Sequence, residues 1–367
     1  MRRLHEAHVA VLGAGYGGLR AAFGLARDVR VTLIDPADSF TERVRLHERA
    51  AGRQDVRHTL RPLLRASGVT HLAERVSRID TAASEVHTDD GRVVGYDRLV
   101  YALGSRTGDP GPARPGRVFT AETAAELHRR LHGEFGRLTV VGGGPTGVET
   151  AAELAESHPE WDIRLVTAGQ VAPGVSRRGR AHIRSVLTGL GVAIEEDHQV
   201  PDADDLDSDV VVWSASMVPN TEIAKAAGLT LDEHDRITVD PALRSTSHPE
   251  VYVAGDAAAA YTPVSGPLRM ACATALPVGL HAARSVVRDL GGLEPRPLKF
   301  SYYAQCISLG RHDGLLQFVG RDDSPRDRIL TGRAAALVKE QIVRTTVRTI
   351  VMTARSPRAA RLIPGVN

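Results

Sequence analysis

Two glycine fingerprints of the same form stand 129 residues apart in this chain and limit the folds open to it. The first is Gly13-Ala-Gly15-Tyr-Gly-Gly18 and the second is Gly142-Gly-Gly144-Pro-Thr-Gly147. Each follows a short apolar run and precedes a stretch that suits a helix. In that context the first glycine permits a tight turn, the second lets a pyrophosphate approach, and the third allows close helix–strand packing. The pair predicts two dinucleotide sites in one chain.

The residues around the fingerprints support this interpretation. An apolar strand predicted over 29–34 ends at Asp35, 22 residues after Gly13, where a carboxylate binds the ribose hydroxyls of a dinucleotide. Two further predicted strands end in small residues, at Leu99–Ser105 and Val251–Asp256. We therefore expect an α/β fold with two Rossmann-like domains, in which a hydride passes from one dinucleotide to the other.

Composition excludes several function classes. Hydrophobic residues make up 42% and charged residues 25%, as in ordinary soluble domains, and no apolar run approaches the roughly 18 residues that span a bilayer. Two cysteines give neither a disulfide framework nor a metal site, so we expect a cytoplasmic protein without metal. Residues 331–367 carry a net charge of +6 but no aromatic residue, which argues against nucleic-acid binding.

With these motifs in this order, the chain resembles the two-dinucleotide-binding-domain flavoproteins. It is most similar to the type II NADH dehydrogenase group, which includes relatives of apoptosis-inducing factor. The resemblance covers roughly residues 8–290 and implies FAD on the first fingerprint and NADH or NADPH on the second. It also implies a FAD domain over 1–117 and 236–291, an inserted NAD(P) domain over 118–235, and a smaller α+β C-terminal region over 292–367.

The resemblance also assigns the site residues. Val76 matches a position whose backbone meets the adenine, and Asp256 matches the carboxylate that binds the ribityl chain. The full set of expected FAD contacts is Gly13, Gly15, Tyr16, Gly17, Gly18, Asp35, Arg43, Val76, Ala102, Leu103, Gly104, Gly255, Asp256 and Ala271. The expected nicotinamide-nucleotide contacts are Gly142, Gly144, Pro145, Thr146, Gly147 and Ser216.

Three residues are candidates for catalysis. Glu149 matches a family glutamate that points toward nicotinamide and flavin; the alternative is an ordinary first-turn glutamate favoured by the helix dipole. Arg43 and His47 are four residues apart, so we expect them on one helix face, where His47 would relay a proton. The alternative for both is a surface helix. Cys272 either contacts the flavin or substrate or packs as a small residue.

Departures from the family pattern bear on the electron acceptor. The stretch 40–49 lacks the redox-active cysteine pair of the disulfide reductases, so dithiol chemistry of that kind is excluded. Cys272 and Leu276 replace the two glutamines that quinone-reducing members carry after the Gly-Asp motif. A quinone therefore remains the leading acceptor by resemblance, and a small metabolite remains open.

Two further departures bear on the electron donor. Thr167 stands where an NADH enzyme usually has an acidic residue, and the nearby arginines 177, 178 and 180 either attract a 2′-phosphate or form a solvated loop. The choice between NADH and NADPH therefore stays open. Ser216 replaces a family glycine, and its side chain is expected to crowd the nicotinamide.

The C-terminal region reads as strands over 300–318 with a turn at 312–314, followed by an amphipathic segment over 334–352. We favour a helix packed on its own core or on a dimer partner; the alternative is an in-plane helix on the inner face of a membrane.

The whole chain is predicted to be an FAD-dependent NAD(P)H oxidoreductase that delivers hydride to flavin N5 and then reduces a second acceptor. The alternatives are a flavin dehydrogenase or monooxygenase specialised for a small metabolite, or a flavoprotein sensor with little turnover.

Overall fold

A computed structural model describes residues 4–53, 56–111 and 114–355. Two five-stranded parallel sheets form its frame. In spatial order the first sheet contains Val251–Val253, Arg98–Tyr101, His8–Leu12, Arg30–Ile34 and Thr70–Leu72. The second contains Val118–Phe119, Val210–Trp213, Gly136–Val141, Trp161–Val166 and Ala193–Glu195. All strands of the second sheet fall between residues 101 and 251, so the second unit is inserted into the first, and the expected fold class is confirmed.

The central strands are apolar runs because both faces of their sheets are buried. Val9 to Leu12 are fully buried in the centre of the first sheet, and the helix Tyr16–Leu25 packs against the helix Cys272–Leu290 on one face. These two helices cross so closely that a side chain at Gly279 would collide with the backbone oxygen of Gly17. The crossing fixes both helix N-termini beside the first fingerprint.

Smaller elements complete the first unit. A three-stranded antiparallel sheet contains Val76–Asp80, Glu85–Thr88 and Val93–Gly95, and short ribbons pair Ser39–Thr41 with Arg57–Thr59 and Tyr261–Thr262 with Gly266–Pro267. Its other helices are Leu46–Ala50 and Leu60–Ser67, with short 3₁₀ turns at Leu4–Glu6, Arg43–Arg45 and Gly255–Ala257.

The second unit carries helices Ala124–Leu131, Pro145–Ser157 and Arg177–Gly189, and 3₁₀ turns at Ala121–Thr123 and Ala203–Asp205. The short helix Glu222–Ala226 packs against Val76–Asp80 and the core of the first unit. Where the chain crosses between the units, Ser105–Thr107 pairs antiparallel with Met217–Pro219. This ribbon ties the outgoing crossing to the returning one.

The C-terminal region is a three-stranded antiparallel sheet followed by one long helix, Gly332–Arg355. The strands Ala304–Ser308 and Gly314–Val319 and the turn between them were predicted, whereas the third strand, Pro325–Thr331, was not. The helix buries Val343, Ile350 and Ala354, and the last two join the core of the first unit. It therefore packs on its own chain; the basic tail from residue 356 onward lies outside the described residues. Within the described ranges no helix is long and apolar enough to cross a membrane.

Candidate functional site

The two fingerprints have the same backbone geometry. Gly13 and Gly142 both adopt left-handed φ angles, +95° and +118°, and each donates its N–H to the last residue of the neighbouring strand, at 2.9 and 2.8 Å. A side chain at Gly18 or Gly147 would collide with the carbonyl oxygen of the first glycine of its own motif. Only glycine fits at these positions, because two backbone segments meet there.

The middle glycines serve a different purpose. A Cβ added at Gly15 or at Gly144 would meet no atom within 4 Å, although each residue is the N-cap of a helix. Open space therefore adjoins a helix N-terminus, whose free N–H groups and dipole favour a phosphate. At both motifs this space suits the diphosphate of a dinucleotide.

Two carboxylates flank the first fingerprint. Asp35 accepts hydrogen bonds from the backbone N–H groups of Ala14, at 2.6 Å, and Ala37, at 2.8 Å, which hold its carboxylate over the glycine turn. Asp256 accepts a hydrogen bond from the Ser105 hydroxyl at 2.7 Å. Burial raises the pKa of Asp256, and the hydrogen bond from Ser105 opposes that rise. Both groups stand ready to accept hydrogen bonds from sugar-like hydroxyls.

The other expected FAD positions surround the same turn. Ala102 donates its N–H to Leu12 O at 2.9 Å, and Gly104, at φ +65°, accepts from the backbone N–H of Asn220. The Asn220 side chain also donates to Leu103 O at 2.9 Å. Val76 begins the antiparallel strand Val76–Asp80 and Gly255 begins a 3₁₀ turn. Ala271 is the N-cap of the helix Cys272–Leu290.

The candidate residue Glu149 is at the centre of an interaction between distant parts of the chain. Its Oε1 pairs with Lys339 Nζ of the C-terminal helix and accepts the N–H of Ser308 at 3.0 Å. His47 Nδ1 lies 3.9 Å from its Oε2. Glu149 and Lys339 are only 13% and 14% exposed. Three segments far apart in sequence therefore converge on one carboxylate.

The structure corrects the expectation for Arg43 and His47. They do not share a helix face, because Arg43 opens a 3₁₀ turn and the α-helix begins only at Leu46. Arg43 is half-exposed and pairs with Glu122 at 2.8 Å, whereas His47 is buried. Desolvation, together with the nearby positive charges of Lys339, Arg311 and Arg45, lowers the pKa of His47 well below its usual value. The surface-helix alternative is wrong for His47, which stays neutral at physiological pH.

Cys272 is the first residue of its helix and partly buried, in contact with the core of the first unit. Burial raises its pKa to about 11, against the nearby charge of Lys339. Cys306 behaves in the same way, again with a pKa of about 11 from burial. A thiol of this kind is protonated at neutral pH and is a poor nucleophile. Both cysteines are free.

A network of buried ion pairs surrounds this cluster. Arg45 pairs with Glu42 at 3.1 Å, Glu48 at 2.9 Å and Glu340 at 2.9 Å, and Arg311 pairs with Glu153 at 2.8 Å and Glu48 at 3.4 Å. A cavity of about 740 Å³ adjoins it, lined by charged side chains of the first unit and the C-terminal region. Another cavity, of about 720 Å³, lies at the amino ends of the second sheet, where Gly136–Val141 begins, on the opposite edge from its fingerprint.

The second dinucleotide site carries the two departures noted in the sequence. Ser216 adopts φ +58°, the left-handed region that favours glycine, and its hydroxyl donates to Ala215 O. Thr167 follows the strand Trp161–Val166 and is buried. Within the described residues no cluster of His, Cys, Asp and Glu side chains is arranged to hold a metal ion.

Comparison with known proteins decides the family. A sequence model of the pyridine nucleotide-disulphide oxidoreductases matches residues 7–275. The chain belongs to this family. It is 30% identical to an NADH dehydrogenase-like protein of Mycobacterium tuberculosis, covering 82% of this chain and 85% of that one. It is 26% identical to a type II NADH:quinone oxidoreductase of Staphylococcus haemolyticus, covering 91% and 93%, and 26% identical to human ferroptosis suppressor protein 1, covering 85% and 89%.

Solved structures of other oxidoreductases have a similar fold. The sulfide:quinone oxidoreductase of Aquifex aeolicus superposes with a TM-score of 0.79 at 17% identity, covering 99% of this chain and 96% of that one. The NDH2 of Plasmodium falciparum, solved with NADH, gives 0.74 at 14% identity, covering 95% and 97%. This member of the pyridine nucleotide-disulphide oxidoreductases is an FAD-dependent oxidoreductase that uses NADH or NADPH, as the sequence predicted.

Sequence reasoning missed several residues of the site. The C-terminal region, which lies outside the fingerprints, contributes Lys339, Ser308 and Arg311 to the cluster around Glu149. The sequence predicts Ser105 only as the end of a strand, whereas its hydroxyl donates to Asp256. One signal was available for Lys339, since it is one of only three lysines among 46 basic residues. The ion pairs through which Arg311, Lys339 and Glu340 join the cluster connect residues 158 to 295 positions apart and leave no local pattern.

Proposed function

We propose that this NAD(P)H oxidoreductase delivers its electrons to a quinone. FAD, when bound, supplies the group that takes up hydride and passes electrons on. The first fingerprint, with Asp35 and Asp256, would hold FAD, and the second fingerprint would hold the nicotinamide nucleotide. The relatedness to type II NADH:quinone oxidoreductases over 91% of this chain supports the acceptor.

The observation that carries the proposal is the pairing of Glu149 with Lys339 beside neutral His47. A quinone takes up two electrons and two protons, so its site needs a nearby proton donor. Lys339 Nζ holds a proton against Glu149 Oε1, and His47 offers a neutral imidazole next to the same carboxylate. The helix that follows the nicotinamide fingerprint is thereby linked to the group that can deliver a proton.

Two half-reactions test the proposal. Anaerobic addition of NADH or NADPH to the FAD-loaded protein is expected to bleach the flavin, and subsequent addition of a short-chain quinone is expected to restore the colour and yield one quinol per nucleotide oxidised. Reduced protein that a quinone cannot reoxidise would reject this acceptor. Failure of both nucleotides to bleach the flavin would reject the donor half as well.

One observation favours a second candidate, a small polar metabolite. The cavity of about 740 Å³ beside the cluster is lined by charged side chains such as Arg45, Glu48 and Arg311, whereas Cys272 and Leu276 provide none of the amide groups expected for a quinone. The charged groups of this lining suit a polar acceptor, although Leu337 and Val343 add apolar surface to it. Reoxidation of the reduced protein by members of a polar metabolite panel, but not by quinones, would select this alternative.

We further propose that a lipid-soluble acceptor is reached through peripheral membrane contact. The C-terminal helix leaves Leu337, Val338, Ile342 and Met352 exposed, with Arg344 and Arg348 on the same element. An apolar stripe with a basic rim suits an anionic membrane surface. Sedimentation with anionic vesicles tests this contact, and self-association without vesicle binding would instead indicate a homodimer.

A further inference from the structure

The two Rossmann units have the same backbone hydrogen bonds and strand register at their glycine fingerprints. Gly13 N donates to Ile34 O and Gly142 N donates to Val166 O. The strand registers agree, because Leu12 is paired with Ile34 and Val141 with Val166. The next residue of each second strand is therefore structurally equivalent, and these residues are Asp35 and Thr167.

These equivalent positions differ in charge, because Asp35 is acidic and Thr167 is neutral. Asp35 places a carboxylate against the glycine turn, where it accepts the N–H of Ala14, as expected for a group that binds two ribose hydroxyls. Thr167 instead places a neutral side chain against Gly143, whose added Cβ would come within 2.9 Å of the Thr167 Cβ. At this position the second unit therefore has no carboxylate to repel a phosphate on the ribose 2′ position.

Two arginines without partners follow the same strand end. The loop after Thr167 folds back on the fingerprint, since Ala172 N donates to Gly143 O at 2.7 Å. It leads into the helix Arg177–Gly189, whose first two residues are exposed. Neither the Arg177 nor the Arg178 side chain has a hydrogen-bond or ion-pair partner among the described residues. Gln317 Oε1 accepts the N–H of Ser176 at 3.0 Å and fixes the start of this helix.

Two of the three acidic side chains near this strand end, Glu195 and Glu196, are already engaged; the third, Asp197, is exposed and donates its backbone N–H to Gly169 O at 3.4 Å. Glu195 pairs with Arg164 at 3.3 Å and with His198 at 3.3 Å. Glu196 pairs with Arg184 and accepts the N–H of Val171 at 2.6 Å. Neither carboxylate is left to bind ribose hydroxyls in the manner of Asp35.

From these observations we infer that the second site selects NADPH over NADH. Thr167 leaves room for the 2′-phosphate, and Arg177 and Arg178 bind it. Guanidinium groups suit this role, because they donate paired hydrogen bonds to phosphate oxygens. The inference rests on the proposed use of a nicotinamide nucleotide as donor, and it adds which of the two nucleotides is used and which residues make the choice.

Equilibrium binding separates this selectivity from turnover. Titration calorimetry of the FAD-loaded protein with NADP⁺ and NAD⁺ is expected to show at least tenfold tighter binding of NADP⁺. The double variant Arg177→Gln/Arg178→Gln is expected to lose at least tenfold in NADP⁺ affinity and to keep NAD⁺ affinity within about threefold. The preference should also fall with added salt, since exposed charge pairs are screened. Thr167→Asp, copied from the first unit, is expected to weaken NADP⁺ and strengthen NAD⁺.

Arg65→Gln is the matched control, because Arg65 is exposed on the helix Leu60–Ser67 of the other unit; it should change neither affinity. Equal or tighter binding of NAD⁺ by the wild type, or an equal loss of both nucleotides in the double variant, would overturn the inference. Tight NADP⁺ binding with no flavin reduction by NADPH would instead reject the proposed function and leave the selectivity intact.

Discussion

His47 is the residue whose chemistry depends most on its surroundings. It is fully enclosed, and desolvation and three nearby cations lower its pKa well below the usual value of about 6.5. The unfolded chain therefore binds a proton near pH 6.5 that the folded chain refuses. The stabilisation from neutral His47 is complete above that pH and is lost progressively as the pH falls below it.

We expect His47→Gln to remove this dependence. Between pH 7 and pH 5 the wild type should lose stability relative to the variant by up to about 1.4 kcal/mol for each pH unit below 6.5. Urea unfolding of both proteins across this range measures the difference, in which the titration of all other groups cancels. Parallel stability curves would show that folding leaves the pKa of His47 unchanged.

At the scale of the structural element, each glycine fingerprint contains one glycine that the backbone packing requires and one that borders the expected dinucleotide site. Gly18 is required by the fold, whereas Gly15 borders only open space. We expect Gly15→Ala to fold, with an apoprotein as stable to heat as the wild-type apoprotein, but to lose bound FAD, because its methyl group occupies the room for the diphosphate. Flavin absorbance of the purified protein and circular dichroism measure the two outcomes.

Gly144→Ala is the matched control in the other fingerprint. It should retain FAD and lose affinity for the nicotinamide nucleotide, since Gly144 has the same open surroundings in the second unit. A Gly15→Ala protein with a full complement of flavin, or a Gly144→Ala protein that loses it, would show that the assignment of the two sites is wrong.

How much of each element could be predicted depended on how local its signal is. The strands beside the fingerprints follow from short apolar runs and glycine spacing, and they lie where expected. The prediction that Arg43 and His47 share one helix face was wrong, because Arg43–Arg45 forms a 3₁₀ turn before the helix begins. Ion pairs of Arg45 with Glu42, Glu48 and the distant Glu340 stabilise this turn. The strand Pro325–Thr331 has no alternating apolar pattern that would predict it. The ion pair between Arg45 and Glu340 joins residues too far apart in the sequence to leave a local pattern.

At the scale of the whole molecule, a charged junction links the C-terminal helix to both units. The C-terminal helix sends Lys339 to Glu149 of the second unit and Glu340 to Arg45 of the first, while its distal half joins the core of the first unit through Ile350 and Ala354. This arrangement separates two tasks in space. The fingerprints lie at the carboxyl ends of the two parallel sheets, and the C-terminal helix contributes Lys339 to the charged cluster around Glu149.

Lys339→Met tests that separation. The variant keeps the aliphatic length but leaves the nearly buried Glu149 carboxylate without its cation, which is costly. We expect flavin reduction by the nicotinamide nucleotide to stay within about threefold of the wild type, and reoxidation by the second acceptor to fall at least tenfold, since the proton held at Nζ is lost. Stopped-flow absorbance resolves the two half-reactions. Lys299→Met, at an exposed position, should change neither rate. A variant slowed equally in both half-reactions would assign Lys339 to holding the units together, and a variant slowed only in flavin reduction would place it on the nucleotide side of the flavin.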